Sequence, residues 1–231
     1  MKIFKFLVFE IYLLGACVNS YAQRISELEQ KFPMDRRLAA EINDSTLSQL
    51  EKEVVYFINL ARLSPSIFAD TYLEYFIKEY RLDKENPYIK SLWKTLKLAR
   101  PVSPLLSDVK MSLASKCRAK ELKGQITLPF EKKISSNVQE EGIIPRRSSS
   151  QAQSQNTTKT PTGCSLELDY YAECYAIQKK TSLEIVFQLL IDFDNKTYSN
   201  RQICLSNEFS KVGICICPHE DYNTLAVLDF K

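Results

Sequence analysis

Histidine is nearly missing from this chain: His219 is the only one among 231 residues. Imidazole nitrogens give zinc sites much of their affinity, and histidine is the most frequent general acid or base in enzymes. Two further signatures are missing, the Cys-x-x-Cys pair of many zinc sites and the Gly-x-Ser-x-Gly turn of serine hydrolases. These absences argue against a zinc enzyme and against a hydrolase built on a Ser/His/Asp triad.

An excess of charge of one sign is also missing. The chain has 31 Lys and Arg residues against 28 Asp and Glu residues, a formal net charge of +3 at pH 7. Proteins that bind nucleic acid neutralise phosphates with Lys and Arg, and nothing in this balance indicates such a partner. The apolar fraction of 45% and the charged fraction of 26% are ordinary for a globular protein.

Long apolar runs are confined to the N-terminus. Lysines precede an apolar run over residues 6–16, and Ser20-Tyr21-Ala22 ends in a small residue suited to cleavage. We therefore predict a signal peptide over residues 1–22 and a secreted, extracellular protein that begins at Gln23. No later segment of the sequence is long and apolar enough to span a bilayer.

A lipid anchor is the alternative to secretion. Leu14-Gly15-Ala16-Cys17 also matches a lipoprotein box, which would lipidate Cys17 and hold the protein at the cell surface. A membrane is then a partner only through this modification. The remaining possibility is an uncleaved anchor, for which the apolar run is short.

Export changes how the cysteines are interpreted, because disulfides form in oxidising compartments. Cys215 and Cys217 point to the same face of a predicted strand, about 6.6 Å apart at two strand rises, so a bond between them would be strained. We expect each to pair elsewhere, with a connectivity that the sequence leaves open. The disulfide candidates are Cys117, Cys164, Cys174, Cys204, Cys215 and Cys217.

The segments after the signal peptide differ in composition. Residues 23–44 are polar and form an N-terminal leader, and the domain extends over residues 45–231. Within the domain, residues 131–163 are rich in Ser, Gln, Thr, Lys and Pro and lack the apolar side chains that would hold one conformation. We predict a mobile insertion there, because each flanking piece is too small to form a core alone.

Helices dominate the first part of the domain. Apolar stripes with helical spacing start near Leu47 and Ile67, and a third helix should begin at Ser107 as its N-cap. The strongest helix signal comes later, at Thr181, which forms a Thr-x-x-Glu capping box with Glu184.

The strands follow these helices and should form one sheet. Residues 166–177 and 212–217 alternate as strands do, and the second should pair with a strand over 225–230 through a turn at 218–221. His219 falls in this turn, where we expect it on the surface. Helices on both faces of such a sheet predict an α+β fold, a three-layer α-β-α sandwich with a small, mainly antiparallel sheet.

Several short motifs resemble one family in sequence order. Ile58-Asn59-x-x-Arg62-x-x-Pro65-x-x-Phe68-Ala69 is similar to the opening helix of CAP-superfamily domains, the SCP-like, cysteine-rich secretory, antigen 5 and pathogenesis-related 1 proteins. Ala172-Glu173-Cys174 falls where the family has Gly-Glu-Asn, and Ser199-Asn200-Arg201 falls where it has Gly-His-Arg. The ending Val227-Leu228-Asp229-Phe230 agrees as well. The likeness covers about residues 45–231 and is that of a divergent CAP domain.

The departures from the family matter more for function than the matches. Family members with a formed central cavity contain a tetrad of two histidines and two carboxylates that holds a divalent cation. Here Asn200 replaces one histidine, and no histidine exists between residues 100 and 218, where the other would fall. Glu173 is carried over as one carboxylate, and Asp192 is the candidate for the second. We therefore expect no metal, no cofactor and no catalytic residue.

What remains is a degenerate central site. Glu173 should lie beside Asn200 and Arg201, as a carboxylate with amide and guanidinium partners, which is more often a structural network than a ligand pocket. The ligand-binding candidates are Glu173, Asp192, Asn200 and Arg201.

Three functions fit such a chain. The first is a secreted binding or interaction domain without enzymatic activity, whose extracellular ligand the resemblance implies to be a lipid or sterol, a protein or a glycan. The second is a secreted hydrolase that uses a site centred on Glu173. The third is a structural surface domain anchored through Cys17. A hydrolase needs an acid, base or nucleophile pair within about 3.5 Å across an open cleft, which separates the first two.

Overall fold

A computed structural model gives the arrangement of the chain and describes Leu38, Ile42 and residues 44–122, 172–193 and 195–231. The chain divides into two compact units, residues 1–39 and 40–231, and every helix and strand reported below belongs to the second unit. The predicted signal peptide (1–22), the predicted insertion (131–163) and nearly all of the predicted leader (23–44) lie outside the described residues.

The helices of the first half begin at capping residues. Ser48 and Glu51 form a capping box at the start of the first helix, and the Asn86 side chain accepts a hydrogen bond from the backbone N–H of Tyr88 at the start of the fourth. A π-helical turn, Ala69–Leu73, joins the second helix to the third. These helices are α1 (Gln49–Leu63), α2 (Pro65–Phe68), α3 (Glu74–Glu79), α4 (Pro87–Leu98) and α5 (Val109–Leu122).

The start of α5 differs by one residue from the prediction. Ser107 belongs to a short strand, and Asp108 caps the helix instead, because its Oδ1 accepts hydrogen bonds from the backbone N–H groups of Lys110 and Met111 at 3.0 and 3.2 Å. A salt bridge of 3.0 Å from Lys211 Nζ to Asp108 Oδ2 ties this cap to the sheet.

The second half carries the strands and two further helices. The predicted capping box at Thr181 is confirmed: its side chain accepts a hydrogen bond from Glu184 N, and the Glu184 carboxylate accepts one from Thr181 N at 2.9 Å. The remaining elements are β1 (Leu106–Ser107), β2 (Ala172–Ile177), α6 (Ser182–Ile191), α7 (Ser199–Leu205), β3 (Lys211–His219) and β4 (Asn223–Phe230).

The described strands form one sheet in the order β1-β3-β4-β2. The pairs β3/β4 and β4/β2 are antiparallel and β1/β3 is parallel, so the predicted α+β fold with a small, mainly antiparallel sheet is confirmed. The predicted hairpin of the last two strands is confirmed too. One row of paired residues, Gly213, Asp229 and Glu173, crosses the three long strands side by side.

Helices cover both faces of the sheet. On one face α5 packs against β3 and β4, and it approaches so closely that a Cβ atom on Gly213 would lie 2.2 Å from the carbonyl carbon of Met111. Only glycine allows this contact. On the other face α1 packs on β3, while α6 and α7 pack on β2. The sheet is therefore the middle layer of three.

His219 is buried, so its predicted surface position is wrong. Its Nδ1 accepts hydrogen bonds from the backbone N–H groups of Asp221 and Tyr222 at 3.1 and 3.3 Å, which leaves Nε2 to carry the proton and donate to the carbonyl of Leu122 at 2.9 Å. The side chain is only 4% exposed because the hairpin turn folds over the end of α5. Both ring nitrogens therefore serve to join that turn to the helix.

Two polar side chains of α1 hold together segments that are distant in sequence. Asn59 is fully buried and exchanges two hydrogen bonds with the backbone of Leu105, at 2.9 and 2.7 Å. Arg62 is 1% exposed, and burial lowers its pKa. Its guanidinium donates to four backbone carbonyls at 2.6–3.0 Å, those of Ser103, Cys204, Ser206 and Phe209.

Replacing this guanidinium should destabilise the fold even when the charge is kept. The ammonium group of Arg62→Lys cannot reach the same four carbonyls, and each buried carbonyl left without a donor is costly. We expect the free energy of unfolding in urea to fall by about 2–4 kcal/mol. The exposed Arg100 is the matched control, and Arg100→Lys should leave the unfolding midpoint unchanged. Equal midpoints for the two variants would contradict the anchoring role of Arg62.

Candidate functional site

The four predicted site residues fall into two groups in the structure. Asp192, Asn200 and Arg201 lie in and beside the loop that joins α6 to α7, whereas Glu173 lies on β2. Each group has its own partners, so we describe them one at a time.

Asp192 and Asn200 are in direct contact. Asp192 ends α6 in a left-handed backbone conformation, with φ 55° and ψ 53°, which aspartate tolerates better than most residues. Its carboxylate is 4% exposed and accepts hydrogen bonds from the side-chain amide of Asn200 at 2.8 Å, from Asn200 N at 2.9 Å and from the side-chain amide of Asn195 at 3.0 Å. Burial raises the pKa of Asp192 despite these donors. The amide of Asn200 thus occupies one side of the carboxylate.

Arg201 serves the fold rather than an open pocket. It is 3% exposed, and burial lowers its pKa. Its guanidinium donates to the carbonyls of Leu190 and Ile191 at 2.6 and 3.0 Å, which are otherwise unsatisfied at the end of α6. It also reaches α4, where it donates to Ser91 Oγ at 2.9 Å. The ring of Tyr198 lies 4.2 Å from the guanidinium carbon.

Glu173 belongs to an ion-pair network on the α5 side of the sheet. Its carboxylate lies 3.3 Å from Arg118 Nε, and the hydroxyl of Tyr175 donates to it. Arg118 also pairs with Glu121 at 3.0 Å. Burial by itself would lower the pKa of Arg118, but the charges of Glu173 and Glu121 outweigh it, and the pKa is raised. Glu173 therefore has a cation beside it, as expected, but the cation is Arg118 and not Arg201.

Asp229 completes this network, and the sequence analysis missed it as a site residue. It lies opposite Glu173 on the neighbouring strand and is 1% exposed. Ser115 Oγ donates to its Oδ2 at 2.7 Å, while Oδ1 is buried without a hydrogen-bond partner among the described residues. Burial and the neighbouring charge of Glu173 raise the pKa of Asp229 to about 7. The available signal was an aspartate between Leu228 and Phe230 in a strand that is otherwise apolar.

The structure does not bring Glu173 together with Asn200. Glu173 faces Arg118 of α5, whereas its neighbour Cys174 points through the other face of β2 and contacts Cys204 of α7. Within the described residues no hydrogen bond or ion pair joins Glu173 to Asp192, Asn200 or Arg201. Because neighbouring residues of a strand point to opposite faces, the structure shows the four residues in two groups, and a ligand site shared by them stays a prediction.

Neither carboxylate cluster offers a good set of metal ligands. Asp192 is surrounded by N–H donors and Glu173 by a guanidinium and a hydroxyl, and these groups compete with a cation for the carboxylate oxygens. In the part of the chain that the structure describes, no group of three or more His, Cys, Asp and Glu residues could hold a metal ion.

The disulfide prediction is contradicted for four of its six candidates. Cys174, Cys204, Cys215 and Cys217 carry thiols in the structure. Cys174 and Cys204 are both fully buried, and burial followed by the contact with Cys204 raises the pKa of Cys174 well above its ordinary value. A hydrogen bond with Cys217, then burial, raises the pKa of Cys215. Cys117, by contrast, is disulfide-bonded, and Cys164 lies outside the described residues.

Comparison of the chain with protein-family models, with curated proteins and with solved structures finds no match in any of the three. The CAP-like motifs therefore stay a resemblance read from the sequence.

Titration of Asp229 should make the stability of the fold depend on pH. In the unfolded chain this carboxyl ionises near its ordinary pKa of 3.8, whereas the native protein keeps the proton up to about pH 7. Between these values the unfolded state binds fewer protons, so the free energy of unfolding falls as the pH rises. At about 1.4 kcal/mol for each pKa unit, the full loss is on the order of 4 kcal/mol by pH 8.

The variant Asp229→Asn isolates this contribution. It removes the ionisable group and keeps the shape, so its stability relative to the wild-type protein should increase from pH 4 to pH 8. Urea unfolding curves at one-unit pH intervals measure the difference. Parallel pH profiles for the variant and the wild-type protein would show that Asp229 has the same pKa in the native and the unfolded state.

Proposed function

We propose that this chain is a secreted, CAP-like binding domain without enzymatic activity, in which the site that holds a cation in other family members has degenerated. Its ligand is extracellular, and the family resemblance points to a lipid or sterol, a protein or a glycan. The proposal rests on the motif order in the sequence together with the surroundings of the residues that would have to perform catalysis.

The observation that carries the non-enzymatic part is the position of His219. It is the only imidazole of the chain, it is 4% exposed, and both of its ring nitrogens are bonded to backbone groups of α5 and the hairpin turn. A serine or cysteine nucleophile activated by histidine would need this side chain with a free nitrogen in an open cleft. Breaking those hydrogen bonds to release it would also undo the turn.

The carboxylates support the same proposal. The Glu173 carboxylate is ion-paired with Arg118 and accepts a hydrogen bond from the Tyr175 hydroxyl, so its oxygens already have partners. Asp192 accepts three hydrogen bonds from Asn195 and Asn200 and is buried. Asp229 has the raised pKa of a general acid, but at 1% exposure it has no access to a substrate. These surroundings disfavour the alternative of a hydrolase centred on Glu173.

Two residues of the opening motif support the kinship. Asn59 and Arg62 are the α1 side chains that bond to the backbone of residues 103–105 and 204–209, so the motif marks positions that the fold needs. The contact between Asp192 and Asn200 adds to this support, because it joins the candidate second carboxylate to the residue that replaces a histidine. The separation of Glu173 from Asn200 counts against one shared ligand pocket.

Secretion rests on the N-terminal sequence. Among the described helices, none has both the length and the apolar character to cross a membrane. The alternative, a structural domain anchored through Cys17, predicts a different mature N-terminus.

Excess zinc should leave the thermal unfolding temperature unchanged. A cation that binds the native state raises this temperature by mass action, and neither carboxylate cluster offers a competent ligand set. The measurement is a thermal shift with zinc and with EDTA as the control. A rise of several degrees that Glu173→Gln or Asp192→Asn abolishes would overturn the degenerate site and name the carboxylate responsible.

Mass spectrometry of the mature protein, recovered after export, decides between secretion and anchoring. We expect a soluble chain that begins at Gln23. A chain that begins at an acylated Cys17 would contradict secretion and favour the anchored surface domain.

A further inference from the structure

A cleft between α3 and α4 lies apart from both carboxylate clusters. It has a volume of about 240 Å³. Its floor is apolar, because Ile77 of α3 and Ile89 of α4 are only 3% and 2% exposed. Trp93, on the same helix one turn after Ile89, forms a wall and is half-buried. Among the described residues its ring has no aromatic and no cation–π contact, and the half-buried side chain is part of the cleft lining.

Positive charge surrounds this apolar floor. Lys84, Lys90 and Lys94 line the cleft, with Glu74 as the single acidic residue among the lining side chains. Lys84 pairs with Glu74 at 2.6 Å, and Lys90 pairs with Glu85. Lys94 is exposed and forms no ion pair within the described residues. Lys94 follows Trp93 in α4, and both side chains line the cleft.

The α4 wall of the cleft is held in place from behind. Asn86 caps the helix, and Pro87 occupies its first turn, where proline is preorganised for a helix. On the buried side Arg201 donates to Ser91 Oγ and to the Tyr88 carbonyl. A wall fixed in this way needs little reorganisation on binding, which lowers the entropic cost of association.

We propose that this cleft binds a small aromatic carboxylate, with the ring against Trp93, Ile77 and Ile89 and the acid group at Lys94. The apolar floor and the indole in the cleft lining favour a flat apolar body, because aromatic rings gain from offset or edge-to-face contact. The lysines favour an anion and disfavour a cation of the same shape. Pockets for drug-sized ligands measure about 300–1,000 Å³, so the volume here suits a molecule of one ring with a short acid side chain.

This site is independent of the CAP resemblance, because it depends only on α3, α4 and the turn between them. It also differs from the site predicted from the sequence. Of the four residues of that predicted site, only Arg201 contributes to the cleft, by holding α4 in place.

Trp93 reports binding directly, since it is the only tryptophan in the chain. The full chain is titrated with 3-phenylpropionate, with intrinsic fluorescence as the readout. We expect a saturable change in the intensity or wavelength of emission, weakened by added sodium chloride because exposed ion pairs are screened. The cation 3-phenylpropylamine, which has the same ring and chain length, should bind at least about fivefold more weakly.

Two lysine variants separate a specific site from a general effect of charge. Lys94→Ala should weaken 3-phenylpropionate binding about fivefold and leave the unfolding temperature unchanged, because Lys94 has no ion pair to lose. The control is Lys110→Ala, an exposed lysine of α5 with the same change of charge, which should bind as the wild-type protein does.

Three outcomes would overturn the proposal. One is tryptophan emission that stays unchanged as 3-phenylpropionate is raised to 20 times a concentration of about 1 mM, the dissociation constant of a weak fragment site. Another is equal binding of the amine, which would mean that the lysines make no selection. The third is an equal loss for Lys94→Ala and Lys110→Ala, which would assign the binding to net charge. None of these outcomes bears on whether the chain is a CAP-like domain, which the zinc and N-terminus experiments test.

Discussion

The fold depends on the guanidinium of Arg62. Four carbonyls from two distant segments accept hydrogen bonds from it, and all of them would lose this donor if it were removed. Buried backbone groups in native proteins are almost always paired, and here one side chain of α1 bonds to the chain before β1, to the last turn of α7 and to the segment that follows α7. Asn59, one turn earlier, does the same for Leu105. These segments lead into β1 and β3, so the α1 side chains fix where the sheet begins.

Charge inside this molecule is used for structure. Arg62 and Arg201 bind carbonyls at helix and loop ends, and Arg118 bridges two carboxylates on the α5 side of the sheet. The exception is Asp229, which has one donor for two oxygens and shares its neighbourhood with Glu173. A carboxyl in that position is more stable with its proton, and this couples the native state to pH near neutrality. By contrast, the lysines around Trp93 face solvent over an apolar floor, a combination that suits recognition.

Local sequence chemistry predicted the elements well and the site poorly. The capping box at Thr181 and the hairpin of the last strands depend on residues a few positions apart, and both are present in the structure. The division of the four site residues into two groups has a geometric reason. Glu173 and Cys174 are neighbours on one strand, and which of the two faces α5 depends on the pairing of β2 with β4. His219 is buried only because the hairpin turn meets the end of α5, a contact between distant parts of the chain.

The sequence by itself determined the α+β class, the helix start at Thr181, the hairpin, and the scarcity of imidazole that argues against zinc or triad chemistry, because composition and short-range spacing set all of these. Only the tertiary structure decided that Asp192 is held by Asn200 while Glu173 is held by Arg118, that Asp229 is a buried carboxyl beside Glu173, and that Trp93 lies among lysines over Ile77 and Ile89. Each of these arrangements includes residues from more than one element. Their partners follow from strand register and helix packing, which long-range burial selects.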